Sequence, residues 1–210
     1  MKKLFLLTAL FLNSAFAKDL SFKQAEKIVD NSFYVSFHSD TDYSKADNII
    51  QSSLAGLYLA YLSGDFPKGI SASSVVDNSN KAKFKNLPKH KTKNKNASFN
   101  IRIEKAAMDK AAPYFTGYKI AKHYAPKADG FFFAEDVYFD GKAYYLYVDD
   151  IGSPELEWKL ENVKAEGKGY LLTGFTKYID DKKSPKKPFS LKIVPSDVKG
   201  AWKRVKFNYW

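Results

Sequence analysis

The chain contains no cysteine. That excludes a disulfide framework, a thiol nucleophile, a cysteine-ligated zinc site and a lipidated cysteine behind a leader. Histidine is almost as scarce, at three in 210 residues. His38, His90 and His123 lie far apart and make no metal-site spacing. There is no G-x-S-x-G, no Gly-rich phosphate loop, no H-E-x-x-H and no dinucleotide fingerprint. No internal repeat is visible. No apolar run reaches the roughly 20 residues that a spanning helix needs. What remains is 45% hydrophobic and 16% aromatic, too apolar for a disordered chain and of a length that suits one domain.

An apolar run, Leu4 to Leu12, interrupted only by Thr8, follows Lys2 and Lys3 and precedes Ala15-Phe16-Ala17. A basic start, a short apolar stretch and an A-x-A site read as a secretory signal peptide over 1–17, with Lys18 as the mature N-terminus. A membrane anchor is the competing reading, and the run is about half the length it requires. The expected location is the periplasm of a bacterium or the medium outside it. The expected organisation is a single α+β domain over 18–210 with a basic loop insertion at about 67–100.

Charge is unevenly placed. The formal net charge is +11, and loss of Lys2 and Lys3 leaves +9. From Asn78 to Ile103 there is no acidic residue, while Lys81, Lys83, Lys85, Lys89, Lys91, Lys93, Lys95 and Arg102 carry eight of those charges. Outside this segment the mature chain is close to neutral. The segment also has too little apolar surface to offset its ordering entropy, which predicts a loop.

Residues 18–66 read as helical. Ser21 and Gln24 resemble a capping box. Phe22, Ala25, Val29, Phe33 and Phe37 then recur at helical spacing, although Phe33, Val35 and Phe37 also alternate as a short strand would. Thr41 or Asp42 is a plausible cap for a second helix through Tyr61, apolar on most sides and stopped by Gly64 and Pro67. Ile103 to Phe115 predicts a third helix, and Tyr118 to Tyr124 a short fourth. After Gly130 the period becomes two. Phe131–Phe139, Tyr144–Val148, Glu157–Ala165, Tyr170–Tyr178, Phe189–Val194 and Trp202–Tyr209 read as six strands, with Asp140-Gly141 as a hairpin turn. Short turns between sequential strands predict an antiparallel meander, its apolar face covered by the upstream helices.

Helices followed by a curved antiparallel sheet resemble the nuclear transport factor two-like superfamily. Ala25 to Phe37 is similar to the aromatic-rich first helix of such domains. Trp158 to Thr176 is similar to their central hairpin, and Gly200-Ala201-Trp202-Lys203-Arg204-Val205 to the lead into their last strand. The resemblance spans most of 21–210 in order of elements. Its motifs are nonspecific, and the insertion and the length depart from a compact member. It implies a cone with an apolar mouth, a scaffold that carries hydrolases, isomerases, ligand-binding domains and secreted immunity proteins, so that fold does not choose function.

Several side chains are candidates for chemistry. Asp136 and Tyr138 point the same way on one strand, and inside a cone a buried Asp beside Tyr would be a base with a raised pKa. On the outer face they would be ordinary solvent-facing residues. His38, with Asp40 and Asp42 nearby, is either an acid/base pair or a solvated helix end. His123 adjoins a predicted break, and His90 lies among lysines. Asp149-Asp150 and Asp180-Asp181 are turn pairs whose side chains diverge, so neither is a carboxylate dyad. The seven lysines of 81–95 with Arg102 suit an anionic envelope polymer or acidic protein, or are simply a solvated insertion. Aromatic residues do not interleave with them, and an exported protein is not expected to meet nucleic acid. The terminal Phe-Asn-Tyr-Trp is not a barrel signal, because its alternate row is not apolar.

The expected function is an exported, non-catalytic binding module that takes a protein or small ligand at a sheet cavity or edge, an immunity-type inhibitor being one version. No cofactor or metal is expected. The alternatives are a small hydrolase or isomerase using Asp136, Tyr138 or His38, and envelope-polymer binding through the lysine-rich loop.

Overall fold

The computed structural model describes residues 20–35, 40–77, 84, 87, 99–127, 134, 136–148, 156–179 and 183–209. Helix α1 (Phe22–Val35) is followed by strand β1 (Asp40–Asp42) and helix α2 (Ala46–Ser63). Strands β2 (Val75–Asp77) and β3 (Ile101–Glu104) lead into helix α3 (Lys105–Phe115). Strands β4 (Asp136–Phe139), β5 (Ala143–Tyr147), β6 (Leu156–Glu166), β7 (Gly169–Tyr178), β8 (Lys187–Pro195) and β9 (Trp202–Tyr209) complete the chain.

The class is α+β, with helices on antiparallel sheet. The strands divide between two sheets instead of forming one six-stranded meander. One has the order β1-β9-β8-β7-β6, the other β2-β3-β5-β4. Every pairing is antiparallel. The buried apolar residues of both sheets and all three helices form one contiguous cluster. Strands β1 and β3, which sequence periodicity misses, and β2, where Val75 and Val76 suggest only a brief element, have three or four residues each. That is too short for alternation to stand out.

Local chemistry accounts for two of the helix ends. The Ser21 N–H donates to Gln24 Oε1 at 3.0 Å while the Gln24 N–H donates to Ser21 Oγ at 3.3 Å, a reciprocal cap on α1. Helix α2 ends at Gly64, whose φ of 75° is the left-handed cap that glycine adopts without strain. Its start differs from expectation. Thr41 and Asp42 are in β1, paired with Phe207 and Lys206. The helix begins after Lys45, which makes no side-chain cap, and Asp42 instead accepts from the Ser44 N–H and hydroxyl at 2.9 and 2.7 Å.

No helix forms over 118–124. Gly117, at φ 80°, turns the chain out of α3. A Cβ there would overlap the Trp202 carbonyl oxygen and the Lys203 backbone, so only glycine permits this approach to β9.

The five-stranded sheet contains two bulges. Val205 is an extra residue in β9, because Lys206 faces Lys192 while Arg204 faces Ile193. Glu161 is an extra residue in β6, between Leu160, opposite Gly174, and Asn162, opposite Thr173. Each bulge shifts the inward row by one residue. In β9 the buried residues are therefore Trp202 and Arg204 before it and Phe207 after it. Phe33 of α1 stacks on Trp158 and meets Phe189, Phe207 and Tyr209 edge-on, with centroids 4.8 to 6.1 Å away. The sheet's own aromatic side chains thus fill the face beneath α1. Strand β6 forms one margin of this sheet and β1 the other.

Candidate functional site

The residues singled out by sequence fall in different places. His38, His90, Lys81, Lys83, Lys85, Lys89, Lys91, Lys93 and Lys95 lie outside the described residues, as do Asp149, Asp150, Asp180 and Asp181. Arg102 is half-buried on β3 and pairs with Glu104 at 3.4 Å. Asp136 accepts a bond from the Val137 N–H at 2.9 Å. Tyr138 packs among aromatic neighbours, its ring 6.2 Å from Phe99 and 6.1 Å from Tyr145. Neither lines either of the two cavities described below.

Among the described residues, the histidine is His123, and the fold employs it. Its Nε2 lies 2.8 Å from Asp109 Oδ1 on α3 and its Nδ1 3.0 Å from the hydroxyl of fully buried Tyr144 on β5. Burial raises the Tyr144 hydroxyl above its usual range, against a backbone bond from Tyr124 that lowers it, and Asp109 adds to the rise. Tyr124 is pushed up to about 12, first by burial and then by its bond to Asp47. Both phenols therefore stay protonated at neutral pH. With both ring nitrogens engaged by protein groups, His123 fastens the 118–127 segment to α3 and β5.

A cavity of about 420 Å³ opens between α1, the segment after α2, α3 and the β8–β9 turn. Its walls carry five cationic side chains: Lys27 on α1, Lys68, Lys110 on α3, Lys199 in the turn and Arg204 on β9. No Asp, Glu or His lines it among the described residues. None of the five forms an ion pair among the described residues. These lysines are isolated in the sequence, and only the packing of α1, α3 and β9 gathers them.

Arg204 is the unusual member. It is 2% exposed, and a charge so buried is ordinarily paired. Its Nε donates to Ser32 Oγ at 2.7 Å. Two longer bonds, of 3.4 and 3.5 Å, reach the carbonyls of Tyr114 and Ile28. Ser32 in turn donates to the Ile28 carbonyl at 2.6 Å, which fixes the acceptor lone pair toward the arginine. A guanidinium has five N–H donors, so two remain after these three bonds. Burial pushes Arg204 down to about 10, still charged at neutral pH. The result is a fixed positive charge without a counter-ion among the described residues, in the wall of a cavity ringed by lysines. Counted back from Phe207 at a strict period of two, Arg204 would face outward; the bulge at Val205 turns it inward.

A second cavity, of about 470 Å³, lies between α1, the C-terminal half of α2 and the end of α3. Leu59, Ala60, Leu62 and Phe115 supply its apolar wall, and Asp30 and Asp65 also line it. Asp30 accepts from the Trp158 indole N–H at 3.2 Å. Burial raises its pKa, opposed by that bond and by Lys27. Asn31 and Tyr114 line both cavities.

No cluster of His, Asp and Glu able to hold a metal occurs among the described residues, and no described helix is long and apolar enough to cross a membrane. No protein-family model matches the chain, and no curated protein or solved structure matches it significantly.

Proposed function

We propose that the chain is an exported, non-catalytic binding module that holds an anionic ligand in the cavity between α1, α3 and β9. One observation carries this reading: a fully buried guanidinium, without a carboxylate partner among the described residues, in a cavity wall bearing four lysines. Such a charge is costly to the free protein and favourable once an anion supplies the missing partner. The described lining residues include no carboxylate or imidazole to serve as a base, which favours binding over turnover.

The signal-like leader supports a ligand in the bacterial envelope or beyond. The lysines of 81–95 add charge of the same sign and raise the encounter rate with anions.

The test uses the mature chain, 18–210, titrated with pyrophosphate and, at matched ionic strength, with sodium chloride. Pyrophosphate is expected to raise the melting temperature and chloride to leave it in place. Lys68→Glu and Lys199→Glu, both exposed positions, should each weaken the response. Equal responses to the two salts, or a response unchanged in both variants, reject the reading.

A further inference from the structure

Resting on that reading, we infer that the ligand is a single-chain amphiphile with a phosphate-bearing head. The head sits in the cationic cavity, and the hydrocarbon chain passes Asn31 and Tyr114 into the second cavity.

Three observations converge. The first is adjacency, because the same two side chains, Asn31 and Tyr114, line both cavities. Each volume falls within the roughly 300–1,000 Å³ that small-molecule sites occupy.

The second is an exposed apolar surface at this place. Leu62 and Tyr114 are 57% and 38% exposed, two of the few large hydrophobic side chains left open to solvent among the described residues. Both line the second cavity. A hydrocarbon chain would cover them.

The third is charge. Five cations and no carboxylate line the first cavity, while Asp30 and Asp65 line the second. An anionic head is attracted to one and repelled from the other, so the amphiphile has one orientation. One singly charged carboxylate would leave most of the cationic charge unanswered. A phosphomonoester carries up to two charges and offers several acceptor oxygens to the Arg204 fork and the lysines.

The experiment titrates the mature chain by calorimetry, below the micelle threshold, with three probes. Dodecyl phosphate has head and chain, methyl phosphate the head alone, and dodecyltrimethylammonium the chain with an opposite head. Dodecyl phosphate is expected to bind at least about tenfold more tightly than either, because burial of the chain adds to the head contacts. Leu62→Glu, at an exposed position, should weaken dodecyl phosphate about tenfold and leave methyl phosphate unchanged within about twofold. Lys68→Glu should weaken both.

Equal affinity for methyl and dodecyl phosphate overturns this inference and leaves the anion-binding reading standing. Absence of binding by both phosphates overturns both. Dodecyltrimethylammonium binding as tightly as dodecyl phosphate overturns the assignment of the head. Capture on phosphatidic acid vesicles that Leu62→Glu does not alter, with no uptake of dodecyl phosphate, would assign the surface to a bilayer face and overturn the single-molecule reading.

Discussion

Replacing Arg204 by methionine separates the cost of the buried charge from its use. Burial lowers the guanidinium from its ordinary value to about 10. At about 1.4 kcal/mol per pKa unit, that difference is on the order of 3 kcal/mol against the charged form in the folded state. The opposing loss is one good hydrogen bond to Ser32 and two long ones to carbonyls. Charge-assisted bonds contribute about 1.5–3 kcal/mol when well formed. The two effects nearly cancel, so Arg204→Met in anion-free buffer should change stability by less than about 1.5 kcal/mol, in either direction. Bound anion alters the comparison. At a hundredfold excess over its dissociation constant a ligand stabilises the folded state by about 2.7 kcal/mol, and the variant should forgo most of this. Urea unfolding with and without pyrophosphate measures both quantities. The wild-type midpoint should rise with the anion while that of the variant stays in place. A loss above about 3 kcal/mol in anion-free buffer, with a wild-type midpoint indifferent to pyrophosphate, would show that Arg204 is a structural strut and refute the reasoning.

Three further outcomes are expected. His123→Phe leaves the buried Tyr144 hydroxyl without its histidine partner and should cost about 1–3 kcal/mol by urea unfolding; a coupling with Tyr144→Phe of under about 0.5 kcal/mol in a double-mutant cycle contradicts the pairing. Gly117→Ala forces a side chain into left-handed backbone and against Trp202 and Lys203, and should cost at least about 2 kcal/mol in thermal or urea unfolding. Bonds from the Ser44 hydroxyl and then the Ser44 N–H hold Asp42 below its usual carboxylate pKa. Its stabilisation is therefore full above the unfolded value and lost as pH falls through the lowered folded one, so the urea stabilities of wild type and Asp42→Ala should differ at pH 7 and converge on acidification through that folded value.

The features legible in the sequence are the local ones. The Ser21–Gln24 cap, the Gly64 stop and the Asp140-Gly141 turn each depend on a few adjacent residues, and each forms: Asp140 accepts from the Lys142 and Ala143 N–H groups at 2.7 Å. Strand pairing was legible where alternation ran long, as in β7 and β8. It was not in β1 to β3, whose partners are distant in the chain.

The cationic cavity was hidden for two reasons. Its lysines are single residues on separate elements, whereas the conspicuous lysine run draws attention elsewhere. Arg204 sits at a position whose inward direction is set by an extra residue. One signal was available. Trp202 and the pair Phe207 and Tyr209 have opposite parity, and a strand that must bury all three requires a bulge between them.

Strand β6 has a further consequence for behaviour at high concentration. An eleven-residue strand bonded on one side only among the described residues is a template on which a second chain can build. Its exposed positions Glu157, Lys159, Glu161, Lys164 and Glu166 alternate in sign, and the kink at Glu161 breaks its straightness. Those charges act as gatekeepers against fibre growth. Exchanging Lys159 and Lys164 for valine would be expected to turn a well-behaved preparation into one that polymerises edge to edge.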